Sequence, residues 1–245
     1  MTEAVDRTQL AILANAMHAI ADEMGAILVR SAFSTIVREA RDCATALLDA
    51  EGNVVAQAEM IPIHNGGLSA AFRASAAQLD LGGIEEGQGI LLNDPYAGGQ
   101  HLNDFILFQP IFVDGVLLGW AGNTAHHLDV GGGGAGINID ADELIQEGIV
   151  IPPLLVDVER DLRGGAIDRL IFANVRTPEL GRGDFYAQMA ANRTGIERIR
   201  ELTQRVGLGV MQAAMAETLL YAERRMRAAI ATMPLGTWHG EALTD

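Results

Sequence analysis

Six histidines occur in the 245 residues, and three of them fall within "GGQHLNDFILFQPIFVDGVLLGWAGNTAHHLDVGGGG", residues 98–134. His101 and Asp104 stand together in "HLND", and His126 and His127 are adjacent in "AHHLD". Two imidazole nitrogens and one carboxylate oxygen form a three-ligand set for a divalent ion, with positions left open for water or substrate. Zinc, manganese and iron all accept such a set. Asp94 and Asp129 lie near enough in sequence to orient the imidazoles, and the glycines at 98–99 and 131–134 let the backbone turn tightly on both sides. The same residues also read as a hydrogen-bonded network at a strand end, and the two readings stand side by side at this point.

The element that must bring the donors together is a hairpin. "DFILFQPIFV" and "VLLGWAGNTA" flank Asp114-Gly115, a strong two-residue hairpin signal. A tight turn there sets Val113 opposite Val116, Asp104 opposite Ala125, Asn103 opposite His126 and Leu102 opposite His127. Neighbouring positions across a strand pair lie roughly 5–8 Å apart, within reach of a shared ion. Ideal alternation puts Asp104 and His127 on one face of the sheet and His126 on the other. Pro110 cannot donate to the ladder and marks a place for a bulge, which would shift that parity by one residue. Either histidine of the pair therefore remains open as the ligand.

The other chemistry-bearing residues carry less. His64, in "IPIHNGG", reads as part of a glycine turn that lines the same site. "RDC" at 41–43 is a charge pair before a strand, Cys43 a buried thiol, and His18 a residue of the first helix. The glycine run is not followed by Gly-Lys-Ser/Thr, and no G-x-G-x-x-G joins a strand to a helix, so a nucleotide site is not expected. No G-x-S-x-G elbow is present.

Around the hairpin the periodicity predicts an amphipathic helix over 8–33, with Leu10, Leu13, Met17, Ile20, Met24 and Leu28 on one stripe. Two short strands surround Glu51-Gly52-Asn53, a helix spans 68–79, and "ILLNDPY" is a buried strand. A short helix begins at Asp140 or Asp142, "IPPLLVDVER" is extended, and helices follow over 166–172, 184–206 and 211–233. "PLGTWHGEALTD" reads as the start of a strand whose continuation is missing. The expected class is α+β: a central, hairpin-rich mixed sheet, a long N-terminal helix and a C-terminal helical segment in one domain, 1–245.

The charge balance restricts partners. Against 32 Asp and Glu there are 17 Lys and Arg, a net charge of −15. Such a surface repels phosphate backbones and anionic lipid, so neither nucleic acid nor a membrane is expected as a partner. One cysteine excludes an internal disulfide framework and suits a reducing compartment. "MTEAVDRTQLAIL" carries no basic segment leading into an apolar one, and the cytoplasm is the expected location.

"NDPYAGGQHLNDFILFQPIFVDGVLLGWAGNTAHHLDVGG" closely resembles the corresponding block of the hydantoinase B/oxoprolinase family, which also includes alpha-type subunits of acetone and acetophenone carboxylases. The resemblance continues through "QEGIVIPP", "NVRTPELGRGDFYAQMAANRTG" and "YAERRMRAAIATMP", and upstream through "REARDCATALLDAEGNVVAQAEMIPIHNGG". It implies a metal-bearing subunit of an ATP-dependent cyclic-amide hydrolase, working with a hydantoinase A-type subunit that binds ATP and phosphorylates the substrate oxygen. By the same resemblance His101, Asp104 and His126 are the metal ligands, with His127 as substitute, while His127 or His64 moves protons. The family's subunits continue well past the region matched here. The chain therefore reads as one half of a split subunit, a fragment or a stand-alone remnant; a hetero-oligomer is expected, with a second B-like chain as one source of the C-terminal region. An ATP-dependent ketone carboxylase subunit and a non-catalytic assembly subunit are the alternatives.

Overall fold

Apolar stripes decide where each helix goes, and the alternation of the strands decides what lies between them. The computed structural model describes residues 6–243. Helix α1 spans Arg7–Ser31 and is capped by Asp6, whose carboxylate accepts from the amides of Thr8 and Gln9, each at 2.8 Å. Its stripe Leu13, Met17, Ile20, Met24 and Leu28 is buried, each such side chain being worth about 1.5–3 kcal/mol when removed from water. α1 is long and apolar enough to cross a membrane by length and composition, but this stripe is already committed to the protein core. A short helix α2 (Thr35–Arg38) leads to strands β1 (Cys43–Asp49) and β2 (Val54–Gln57), then helix α3 (Pro62–Ala76) and strand β3 (Gln88–Leu92).

Strands β4 (Asp104–Val113) and β5 (Val116–His126) form the central hairpin. Its turn has φ of 50° at Asp114 and 76° at Gly115, the two positive values that a tight hairpin of this twist requires. Then follow α4 (Leu144–Glu147), β6 (Leu154–Asp157), α5 (Val158–Leu162), α6 (Ala166–Phe172), α7 (Pro178–Val206) and α8 (Leu208–Ala231). The six strands form one sheet in the order β2-β1-β5-β4-β3-β6. The architecture is the expected α+β, with every pairing antiparallel where a mixed sheet was expected.

One face of the sheet packs on α3: Leu68, Ala71 and Phe72 meet Ile106, Phe108 and Trp120. The other face packs on α1, α7 and the first turns of α8, with Leu47, Ile111, Ala121 and Ala125 against Met17, Met24, Ala187 and Met211. A Cβ at Gly195 would sit 2.4 Å from the Met24 sulfur, so α7 needs glycine there to approach α1.

Several expectations are corrected. α3 starts at Pro62, not near residue 68, because proline suits the first helical position and the Asn65-Gly66-Gly67 segment is helical rather than a turn. α4 begins after Glu143 instead of Asp140 or Asp142, with no side-chain cap. Val158-Glu159-Arg160 is helical because Asp157 accepts from the Arg160 amide at 2.8 Å and starts α5. Residues 234–243 form no strand and are exposed throughout.

Candidate metal centre

The register of the hairpin decides which donors meet. Near the turn Phe112 opposes Leu117, but Ile111 opposes Gly119, leaving Leu118 as an extra residue on β5. This bulge lies one residue beyond Pro110, where the break was expected. Every pair towards the open end is thereby shifted by one, and Asp104 faces His126 instead of Ala125. The histidine that ideal alternation would send away is the one that joins the carboxylate. His126 is further anchored by its amide, which donates to Asp42 O at 3.0 Å.

His101 arrives from the loop between β3 and β4. Buried Asn93 ties that loop down: its amide nitrogen donates to Leu102 O at 2.7 Å and Ile149 O at 2.9 Å, while its oxygen accepts from the Ile151 amide at 2.6 Å. Gly98, with φ of 98°, lets the loop lie against α3, where a Cβ would come within 2.5 Å of the Ala71 nitrogen. The Asp104 amide donates to His101 O at 3.0 Å, closing the turn that carries the imidazole onto the carboxylate.

His101, Asp104 and His126 converge, with one ligand atom from each lying within 4.8 Å of the others. His101 Nδ1 is 3.3 Å from Asp104 Oδ2, and His126 Nδ1 is 3.7 Å from Asp104 Oδ1. Asp104 is only 1% exposed. Neither of its oxygens, nor Nδ1 of His101 or His126, has a hydrogen-bond partner among the described residues. Leaving one buried acceptor unpaired costs about 1–3 kcal/mol, more if it is charged. Four such atoms gathered at one point are what a divalent ion would satisfy, since ligands around one ion stand roughly 3–4 Å apart. The donor set fits a metal.

The electrostatics agree with that fit. Burial pushes the Asp104 carboxyl up from the usual range, with His64 and His101 pulling it back in part. Burial, reinforced by the neighbouring His101, lowers His126 to about 4, so its imidazole is neutral and its lone pair available at pH 7.

His64 joins the group from the first turn of α3, not from a glycine turn. Its Nε2 is 2.7 Å from Asp42 Oδ1, its Nδ1 3.0 Å from Gln100 Oε1 and 3.7 Å from Asp104 Oδ2. Asp42, which also lies 3.7 Å from His126 Nδ1, was passed over in the sequence as part of a structural charge pair. It belongs here because β1 pairs antiparallel with β5, Cys43 opposite Ala125, so the residue before β1 lies beside the end of β5. Only the sheet order brings them together.

His127 does not join the cluster. It points through the opposite face, stacks on Phe105 at 4.2 Å between centroids, and shares a 2.9 Å hydrogen bond between Nε2 and Gln188 Oε1. Burial lowers its pKa. Gln188 also donates to Phe105 O and Asn123 Oδ1, and Asn192 donates to Leu107 O, so α7 holds the hairpin from behind. Both roles considered for His127, substitute ligand and proton carrier, are corrected on this geometry. Asp94 and Asp129 do not orient the imidazoles either. Asp94 accepts from the Tyr96 amide at 2.9 Å, and Asp129 pairs with Arg176 and accepts from the Gly131 amide at 3.0 Å. Among the described residues the His18 ring makes one polar contact, with Gln57 O at 3.4 Å.

Comparison with known proteins extends the geometry. The family model described as hydantoinase B/oxoprolinase matches residues 6–245. Caprolactamase subunit beta of Pseudomonas jessenii is 33% identical over 242 residues, covering 98% of this chain and 41% of that protein. The crystal structure of the ATP-dependent caprolactamase from the same organism superposes with a TM-score of 0.88 at 32% identity. 5-Oxoprolinase 1 of Arabidopsis thaliana is 34% identical over 91% of this chain and 18% of its own length. A nucleotide-free acetone carboxylase structure shares the fold, with a TM-score of 0.73 at 22% identity over 86% of this chain and 29% of that one. The chain spans about two fifths of the length of the first curated relatives it matches.

Proposed function

The chain belongs to the hydantoinase B/oxoprolinase family, and from that premise we propose that it is the metal-bearing part of an ATP-dependent hydrolase of cyclic amides. The observation that carries the proposal is the buried Asp104 carboxylate, orphaned between two orphaned imidazole nitrogens. His101, Asp104 and His126 would hold a divalent ion, with zinc, manganese and iron all suited to the donors. When bound, such an ion supplies a Lewis acid for the amide carbonyl and lowers the pKa of water.

The chain's own residues do the rest. Asp42 accepts at Nε2 of His64 and fixes the ring, so that Nδ1 points towards Gln100 and the Asp104 side. An imidazole oriented in this way can take a proton from a nucleophile or return one to the leaving nitrogen. His64 is the proton carrier in this reading and Asp42 its positioning residue. Asn93 and the bulge at Leu118 hold the ligand loop and strand in place. ATP enters through an A-type partner subunit, which agrees with the subunit names of the relatives and with the missing phosphate-loop motif. The cytoplasm, where ATP is supplied, is the proposed compartment.

The test is an assay of the complex purified with its native partners. Ring opening of a cyclic amide should require ATP and disappear in Asp104→Ala, with stoichiometric metal lost in parallel. Labelled bicarbonate entering an acidic product would overturn the hydrolase in favour of a carboxylase, for which the likeness to acetone carboxylase offers fold alone. A complex that keeps full activity and metal in Asp104→Ala would leave this chain an assembly role only.

A further inference from the structure

His64 has one ring nitrogen left for chemistry. Its Nε2 is held by Asp42 Oδ1 at 2.7 Å, so a reacting atom can be served only at Nδ1. That nitrogen is covered as well: the Gln100 carboxamide lies against it, with Oε1 at 3.0 Å. In its neutral form the ring keeps its proton on Nε2, where a carboxylate accepts it, and offers a lone pair at Nδ1. The two ends of a carboxamide are nearly alike in shape, and the N–H₂ end is the one that can donate to that lone pair. Among the described residues the Gln100 side chain makes no other hydrogen bond.

The seat for the carboxamide is built into α3. A Cβ at Gly67 would stand 2.4 Å from Gln100 Nε2, while the nearest atom outside Gln100 and the helix, Gly98 O, is at an ordinary 3.5 Å. Gly67 is helical and has no positive φ, so its missing side chain supplies space and not a special backbone conformation. An alanine there would push the carboxamide off His64 and crowd nothing else. The position also lies on the open side of the cluster. His64, Asp104 and His126 are buried, whereas Asp42, Gln100 and His101 keep part of their surface in solvent. Of these three, Gln100 is the one in contact with Nδ1 of His64.

We infer that Gln100 is a latch on the proton carrier: its carboxamide stands where the amide group of the substrate must lie, and a ring amide binds by displacing it. Latch and substrate share one planar O=C–N unit, and a secondary ring amide brings an N–H of its own to the uncovered lone pair. The apparent affinity for substrate is then reduced by the fraction of molecules in which the latch is shut. Once substrate is bound the latch is already open, so kcat is not affected. The inference rests on the proposed cyclic-amide hydrolysis with His64 as proton carrier, and adds the residue that substrate must displace there.

Steady-state kinetics of the complex with its native partners, on a ring amide, tests this with two variants. Gln100→Ala deletes the latch. Gly67→Ala keeps it but removes its seat, in a helix that accepts alanine better than glycine. Each should lower KM about 3-fold or more at unchanged kcat, the size of one neutral hydrogen bond. The double variant should gain no more than either alone, since both act on one contact. Damage to the loop or to His64 would instead raise KM or lower kcat. KM unchanged or raised in either variant overturns the inference, whereas a wild-type complex that opens no ring amide refutes the proposed hydrolysis itself. A second readout needs no turnover. In the 245-residue chain, acylation of His64 by diethyl pyrocarbonate, followed by peptide mass mapping, should be about 3-fold faster or more in both variants. An equal or slower rate would likewise overturn the latch.

Discussion

Replacing Asp104 by Asn should reverse the sign of its effect depending on whether metal is bound. Without metal, the wild-type carboxylate is buried, 3.3 Å from His101 Nδ1 and 3.7 Å from His126 Nδ1, with no hydrogen bond for either oxygen. An amide of the same shape has no charge to desolvate, and its N–H₂ faces the His101 nitrogen at hydrogen-bonding range. Removing one unsatisfied buried acceptor gains about 1–3 kcal/mol. At roughly 3 °C per kcal/mol for a chain of this size, the chelated variant should melt about 6 °C above the chelated wild type. With metal at a hundredfold excess over its Kd, the wild type gains about 2.7 kcal/mol, or roughly 8 °C, while the variant gains little. Four melting curves, two proteins with and without metal after chelator treatment, give the answer. If the variant melts below the wild type in chelator, or metal raises both equally, the orphaned carboxylate is not a metal ligand.

Three further outcomes are expected. Gln188→Leu strands the Phe105 carbonyl, Asn123 and His127 behind the hairpin, and should cost about 3–5 kcal/mol in a urea titration; a loss below about 1 kcal/mol would refute the clamp. In the metal-free protein, His126 is lowered from 6.5 to about 4, so the unfolded chain binds more protons between those values. Its contribution to stability is present above pH 6.5 and is lost as pH falls through 4. The Asp104 shift runs in the opposite direction, so the readout is the difference between wild type and His126→Gln, which should shrink from pH 7 to pH 4.5; an unchanged difference would count against it. Burial and the adjacent Asp42 push the Cys43 thiol up to about 12; it should resist a thiol reagent at pH 8 until the protein is denatured, and fast labelling of the native chain would contradict its burial.

How much of the site was legible depended on whether the information was local. The stripe of α1 and the Asp114-Gly115 turn are short-range patterns, and the structure has them within two residues of where the periodicity put them. His101, Asp104 and His126 were legible as donor types bracketing a hairpin. The resemblance to a family added the choice of His126 over His127, against ideal alternation. His64 was misread because Asn-Gly-Gly is turn chemistry in isolation, whereas packing of Leu68 and Phe72 on the sheet makes it a helix. Asp42 was missed because nothing in "RDC" says which strand will lie beside β1.

The sequence by itself determined the elements, the hairpin and the inventory of imidazoles and carboxylates, because apolar period, turn residues and donor chemistry are properties of neighbouring residues. Tertiary structure alone decided parity and company. One extra residue at Leu118 reversed the face of every position beyond it, since side chains alternate with a period of two. The sheet order brought Asp42 to His126 and turned His127 towards Gln188. Those outcomes come from packing two faces of one sheet at once, a global constraint that no local stretch of residues contains.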